Sequence, residues 1–410
     1  MIARLRSGGF GVWLAAIAAL GLAARLANLL LVDDSEIEGD GFQFHMLALR
    51  LAEDGVYRHM IFEADVPTAD KPPLYPLVLA IPSALGLDSI DAHRIASCLM
   101  GAALVVLVGL LGRRVAGERV GLVAAAIAAI HPVLVAMDGS LRSESLYAPL
   151  IALALLTAYE LADRPRTRTA ALLGASIGLA ALTRSEAAAL IVLLLLPAIV
   201  LVPRASRLRV SAVAVAVCVL TMSPWVVRNW IALDEPTLST NSGSLLAGAN
   251  CPDAYYGPQI GSWPCFPAVP REWGTEEVEI SSRLRDRGLE YAAENAERLP
   301  EVMAARVMRS FDLWDPVEAS RLEAGIGDRA LGMQRAGMLV FYALAALAVW
   351  GALLLRRLGR PVVLLLAPLV LVLMISVTGY GTTRFRAGAD AAVCVLAAVP
   401  LARLLSQRSA

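Results

Sequence analysis

Long apolar runs separated by short polar ones set the rhythm of this chain. A helix rises about 1.5 Å per residue, so about 20 mostly apolar residues cross the hydrocarbon of a bilayer. By that measure ten runs are candidate spans, near 10–32, 94–112, 119–137, 142–162, 168–184, 186–203, 209–231, 336–355, 361–379 and 385–405. The polar stretches between them fall into two kinds. Arg4 and Arg6, Arg113 and Arg114, Arg164 to Arg168, Arg204 to Arg209, Arg356 to Arg360, and Arg403 with Arg408 all share one side if the spans alternate. Cytoplasmic loops carry the excess of arginine and lysine, so that side is expected to be the cytoplasm, with both termini on it. The apolar run that follows Arg6 reaches Val32 without a small-residue cleavage site, so it reads as a retained first span, not a signal peptide.

The other side then holds the acidic and mixed-charge stretches. The pattern divides the chain into an N-terminal membrane module over 1–232 with a first outer loop at 33–93, an outer segment at 233–335, and C-terminal spans over 336–410. Composition agrees with an all-α polytopic membrane protein: 58% of the 410 residues are hydrophobic and 18% charged, with a mean hydropathy of +0.64. A net charge of zero gives no reason to expect a nucleic-acid partner.

Ionisable groups buried in a bilayer are costly, roughly 2.5–3.5 kcal/mol each at a helix centre, so their clustering on one side suggests a site. The first outer loop carries the densest group. Phe44, Leu47, Ala48 and Leu51 follow helical spacing and Gly55 is a natural stop, which predicts an amphipathic helix at the membrane surface. Asp40 precedes it with Gln43 three residues on, the pattern of a helix cap; the same position also suits a base. The run Asp70-Lys71-Pro72-Pro73-Leu74-Tyr75-Pro76 then opens a short apolar segment, with Lys71 either a phosphate ligand or a membrane-edge anchor.

An Asp in the first outer loop, a helix ending in Gly, and Lys-Pro-Pro-Leu-Tyr-Pro-Leu together resemble the C-type glycosyltransferases. The group in question is the protein O-mannosyltransferases with the aminoarabinose and galacturonosyl transferases, family 39 and its relatives. Leu182-Thr183-Arg184-Ser185-Glu186, Pro224-Trp225-Val226-Val227-Arg228-Asn229 and Arg384-Phe385-Arg386 are similar to further motifs of that group, in the same order. The usual loop reads Gly-Asp-Glu with a Tyr four residues after the Asp, whereas this chain has Gly41 and Phe44 at those places.

The resemblance implies a GT-C fold and inverting transfer of a sugar from a polyprenyl-phosphate donor to a glycan, glycolipid or protein acceptor. That transfer would occur on the outer face of a bacterial plasma membrane, with membrane lipid as the surrounding partner. Asp40 would be the base, and Glu144 the second acid, with Asp138 as its rival. Lys71, Arg228, Arg384 and Arg386 would hold the donor phosphate. His45, Arg142, Arg184, Glu186 and Asn229 are further candidates for substrate contact. No cofactor is specified, and a divalent cation shared by Asp40 and Glu144 stays open. A lipid or solute transporter and a non-catalytic scaffold on the same fold are the competing readings.

In the outer segment, 241–250 has loop composition, 275–299 reads as a charged helix, and Pro300 starts another toward Trp314. Cys251 and Cys265 are expected to pair in an oxidising compartment, while Cys98, Cys218 and Cys394 lie in apolar spans as packing residues. Tyr255, Tyr256 and Trp263 are expected at the membrane interface.

Overall fold

A computed structural model describes residues 9–31, 37–58, 66–266, 276–327 and 329–407. Arg4, Arg6, Asp33, Thr275 and Arg408 lie outside the described residues. The fold is all-α. The chain runs through α1 (Phe10–Leu31), α2 (Gly39–Glu53), α3 (Leu74–Ala84), α4 (Ile90–Ala116), α5 (Glu118–Ile130), α6 (Pro132–Gly139), α7 (Glu144–Asp163) and α8 (Thr167–Ala181). After a 3-10 turn and a π-helical turn come α9 (Leu196–Leu201) and α10 (Arg204–Leu233). The long polar segment at 233–335 supplies α11 (Ser242–Ala249), α12 (Pro252–Tyr255), α13 (Glu277–Glu294), α14 (Leu299–Ser310) and α15 (Pro316–Ile326). Then follow α16 (Leu331–Arg357), α17 (Val363–Thr378) and α18 (Ala387–Gln407).

Six helical segments among the described residues are long and apolar enough to cross a bilayer, and seven if α5 and α6 count as one bent span. That is fewer than the ten expected from apolar runs, and the reasons are local. The run at 119–137 breaks by 53° at His131-Pro132. Pro132 cannot donate to the helix ladder, and it pushes His131 to an extended ψ of 117°. The run at 186–203 is split into 3-10, π and α turns, and α8 and α17 are only 15 and 16 residues long.

Small residues let the spans approach closely, as is usual where lipid offers no hydrophobic drive. A Cβ at Gly174 would collide with the Ala214 carbonyl oxygen of α10, and one at Gly351 with the Leu396 carbonyl oxygen of α18. One end of the bundle gathers basic helix ends. Arg113 stacks on Phe10 at 4.5 Å, Arg114 pairs with Asp163 at 2.7 Å, and Tyr159 donates to the Pro361 carbonyl. The starts of α2, α7 and α18 lie at the other end.

The first loop folds onto that end. Phe44, Ala48, Tyr75, Leu79 and Leu141 bury together, with the Phe44 and Tyr75 rings edge to face at 5.0 Å. The predicted amphipathic helix is thus α2, and Gly55 at φ +72° follows its end as expected. Asp40, however, is not the cap. Glu38 holds the cap position without a side-chain bond, and Asp40 sits inside the first turn.

The segment at 233–335 packs around Tyr255, Ile260, Val302 and Ala305. Two expectations there are corrected and the cysteine pairing holds. Residues 242–249 are helical, and Tyr255 is fully buried with its hydroxyl donating to Asn250 at 2.7 Å. Trp263 donates to the Ser244 carbonyl. Cys251 and Cys265 form a disulfide, and Cys98, Cys218 and Cys394 are buried and unbridged. The disulfide closes a sequence separation of 14 residues, and a loop of about 15 residues loses about 3 kcal/mol without its cross-link. Replacing both cysteines with alanine is expected to lower the thermal unfolding midpoint, read from tryptophan fluorescence.

Candidate active site

The Lys71 loop is held from several directions. The Leu74 N–H donates to the Leu182 carbonyl at 2.9 Å, Tyr57 donates to the Lys71 carbonyl at 3.0 Å, and Ser239 to the Asp70 carbonyl at 2.7 Å. Glu277 of α13 accepts from the Ala69 N–H at 2.8 Å. A loop with its carbonyls and N–H groups so engaged presents its lysine in one place.

Lys71 Nζ lies 2.9 Å from Asp40 Oδ1 and 3.4 Å from Asp70. Arg384 reaches Asp40 Oδ2 with Nη1 and Nη2, both at 3.1 Å, and turns its Nε to Glu144 Oε1 at 2.9 Å. Arg142 Nη1 is 3.3 Å from Asp40 Oδ2. Arg184 donates to Glu144 at 2.7 Å and to Glu186 at 2.5 Å. One guanidinium, Arg384, therefore bridges both carboxylates. The Asp40 side chain keeps 28% exposure, while that of Glu144 keeps 1%. Asp40 is thus partly accessible, whereas Glu144 is enclosed by Arg184 and Arg384.

Burial favours the neutral form of the Asp40 carboxyl, but Lys71, Arg384 and Arg142 outweigh it and hold the group well below the usual carboxylate range. Burial likewise works against the charge of Lys71, and Asp40 and Asp70 more than restore it, so the ammonium titrates above its ordinary value. Asp40 and Lys71 are therefore both charged at neutral pH.

Gly41 explains the departure from the Gly-Asp-Glu pattern. A Cβ there would meet Ile37 at 2.7 Å and the Ser140 carbonyl at 3.1 Å, so no acid side chain fits. Asp138, the rival second acid, points elsewhere. It is buried against Arg25 of α1, with Nε to Oδ2 at 2.6 Å.

Four predicted residues are not brought to this cluster. Arg228 donates to the Thr68 carbonyl at 2.7 Å and the Tyr57 carbonyl at 2.8 Å, tying the two limbs of the first loop to α10. Asn229 is fully buried and donates to the Thr237 carbonyl. Arg386 is fully buried, 2.9 Å from Asp312 and stacked on Phe341 at 3.6 Å. Two residues apart at the start of a helix, the two arginines diverge, and only Arg384 faces Asp40. His45 faces α3 and α4, its Nδ1 3.0 Å from His93, whose Nε2 lies 2.8 Å from Ser83.

The Arg384 guanidinium also stands between the two carboxylates suggested to share a cation. Among the described residues no group of three or more His, Cys, Asp or Glu side chains has a metal-binding arrangement.

Residues missed in the sequence complete the surroundings. Glu323 of α15 accepts from Thr382 at 3.0 Å and Thr383 at 2.7 Å, so it holds the turn that carries Arg384. Acids in a polar, charged segment look like any solvated helix face, and no spacing distinguished this one.

The sequence model of the dolichyl-phosphate-mannose-protein mannosyltransferase family matches residues 70–228. No functionally curated protein matches the chain. The fold is similar to that of the oligosaccharyltransferase of Archaeoglobus fulgidus, with TM-score 0.57 and 15% identity over 96% of this chain and 49% of that one. The same organism's enzyme AglB, in complex with an inhibitory peptide and a dolichol-phosphate, gives 0.56 and 15% over 98% and 51%. ArnT from Cupriavidus metallidurans, bound to undecaprenyl phosphate, gives 0.47 and 16% over 96% and 78%. The chain thus spans about half the length of the oligosaccharyltransferases it resembles. The family model thus matches part of the chain, and the likeness to the solved structures is one of fold, that of the GT-C type membrane glycosyltransferases.

Proposed function

We propose that this chain transfers a sugar from a polyprenyl-phosphate donor to an acceptor hydroxyl at the outer face of a bacterial plasma membrane, with inversion. The observation that carries the reading is Asp40: a partly exposed carboxylate ringed by Lys71, Arg142 and Arg384. Such a ring suits a leaving phosphate beside a base. In the transfer step the acceptor oxygen bonds to the anomeric carbon while the bond from that carbon to the phosphate oxygen breaks. The acceptor proton passes to Asp40, and the electron pair leaves with the lipid phosphate. Lys71 and Arg384 then neutralise that phosphate. Glu144 and Arg184 fix Arg384 during the step.

This reading needs the donor phosphate to exchange into the resting network and take over cations that Asp40 now holds. The outward orientation rests on the arginine-rich opposite ends of the spans. A transporter would instead hold its polar site near the bilayer midplane. Here the ionic cluster lies where α2, α7 and α18 begin.

The test is sugar transfer by the purified full chain in lipid, with a panel of polyprenyl-phosphate sugars and mixed envelope acceptors. Transfer or hydrolysis of one donor is expected. No turnover of any donor by folded protein overturns the reading. Arginine variants add a second check. Arg384→Ala is expected to weaken polyprenyl-phosphate binding. Arg228→Ala is expected to keep that binding but lose about 1.5–3 kcal/mol of stability, since its charged hydrogen bonds serve the loop.

A further inference from the structure

Arg329 lies in the short link between α15 and α16. Its side chain is only 2% exposed. A guanidinium offers five N–H donors, and buried ones are nearly always satisfied. Here Nη2 donates to the Glu323 carbonyl at 3.2 Å, while Nε and Nη1 are buried with no hydrogen-bond partner. The Glu323 carboxylate stands 3.6 Å away, too far for a hydrogen bond, and its Oε2 is already shared by the hydroxyls of Thr382 and Thr383.

The surroundings make this charge harder to keep. Burial lowers the affinity of Arg329 for its proton, and the nearby guanidiniums of Arg384 and Arg142 lower it further, down to about 10 despite Glu323 and Glu144. The space it occupies is reserved by a glycine. A Cβ at Gly327 would collide with Arg329 Nε and crowd Nη2. The link to the site is direct. Arg142 reaches Asp40 with one nitrogen and the Ile326 carbonyl, at the end of α15, with another at 2.5 Å. Glu323 joins Arg329 to the turn that bears Arg384.

A buried cation with two idle nitrogens, beside two more cations, is arranged for an anion. The geometry points to Arg329 as the centre of a second oxyanion subsite, next to the phosphate position at Lys71 and Arg384, that receives a second acidic group of the substrates. The subsite rests on the proposed transfer reading and extends it. Its ligand is a phosphate or carboxylate oxygen, brought either by the donor, as a second phosphate, or by an acidic acceptor.

The experiment uses the full chain in phosphatidylcholine nanodiscs. Undecaprenyl phosphate, undecaprenyl diphosphate, and inorganic phosphate or acetate added over saturating undecaprenyl phosphate are titrated by intrinsic fluorescence and thermal shift. If the donor brings the second charge, the diphosphate binds at least tenfold tighter than the monophosphate, and Arg329→Gln abolishes that preference. If the acceptor brings it, the two lipids bind alike. Inorganic phosphate or acetate then binds on top of the monophosphate, and Arg329→Gln removes this added binding.

In both cases Arg329→Gln keeps its affinity for the monophosphate, and Arg329→Lys retains part of the second-anion binding. A variant with an unchanged diphosphate preference and unchanged added-anion binding overturns the proposal, and so does wild-type protein showing neither. Wild-type protein that fails to bind the monophosphate at all overturns the transfer reading instead. Should Arg329→Gln not fold, Gly327→Ala, which displaces the same side chain, carries the test with the same expected losses.

Discussion

Asp40→Asn is expected to lower sugar transfer by a factor of about 10²–10⁴, the usual worth of a positioned general base, while polyprenyl-phosphate binding persists. Asparagine keeps the shape and removes the proton acceptor. The pH dependence carries a further signature. In the free enzyme Lys71, Arg384 and Arg142 hold Asp40 well below the ordinary carboxylate range. A donor phosphate that engages these cations relieves that pull, so the carboxylate becomes a stronger base once donor is bound. The acid limb of kcat is therefore expected at higher pH than the acid limb of kcat/KM. Stability follows the free-enzyme value. A carboxylate with a depressed folded pKa stabilises above its unfolded value of about 3.9 and loses that contribution as pH falls through the folded value. Asp40→Asn is thus less stable than wild type at neutral pH, and the gap closes in strong acid. Coincident acid limbs in the two kinetic profiles would sink the assignment of Asp40 as base.

Arg25→Leu is expected to cost about 3–5 kcal/mol in unfolding free energy, because it strands a buried carboxylate at Asp138. The pair is 2.6 Å apart with side-chain exposures of 0% and 5%, and Arg25 also donates to the Gly21 and Ala129 carbonyls. Gly101 leaves room for it, since a Cβ there would collide with both side chains. A double variant, Arg25→Leu with Asp138→Leu, is expected to recover most of the loss, as buried ion pairs often yield to apolar replacements. Unfolding titration of the single and double variants in detergent measures both effects. A single variant as stable as wild type would show that the pair contributes nothing.

The fold class was legible because apolar runs long enough for a bilayer are a strong signal, and α1, α4, α7, α10 and α16 lie where those runs lie. Runs that are bent at proline or form short helices were not, since hydropathy does not register the bend at Pro132 or the 15-residue α8. In the site, Asp40, Lys71, Glu144 and Arg384 were found by their motifs and do meet. Arg228 and Arg386 belong to the same motifs, but Arg228 turns to the backbone carbonyls of the first loop and Arg386 pairs with Asp312. A motif names the residue type and its place in the chain, not the direction in which the side chain leaves the helix. Arg25, Glu323 and Arg329 carried no signal, because each acquires its meaning from a partner distant in sequence or from an unfilled one.

The contact between Arg384 and Asp40 spans 344 positions of the chain. Membrane helices enter the bilayer in order of synthesis, and the first loop is made long before α18. Until then Asp40 can meet Lys71 and Arg142 but lacks the guanidinium that links it to Glu144. A nascent chain halted before residue 384 would carry Asp40 and Lys71 without Arg384 and, on the proposed reading, bind donor poorly. On the proposed transfer reading, the donor site would be completed only when α18 docks.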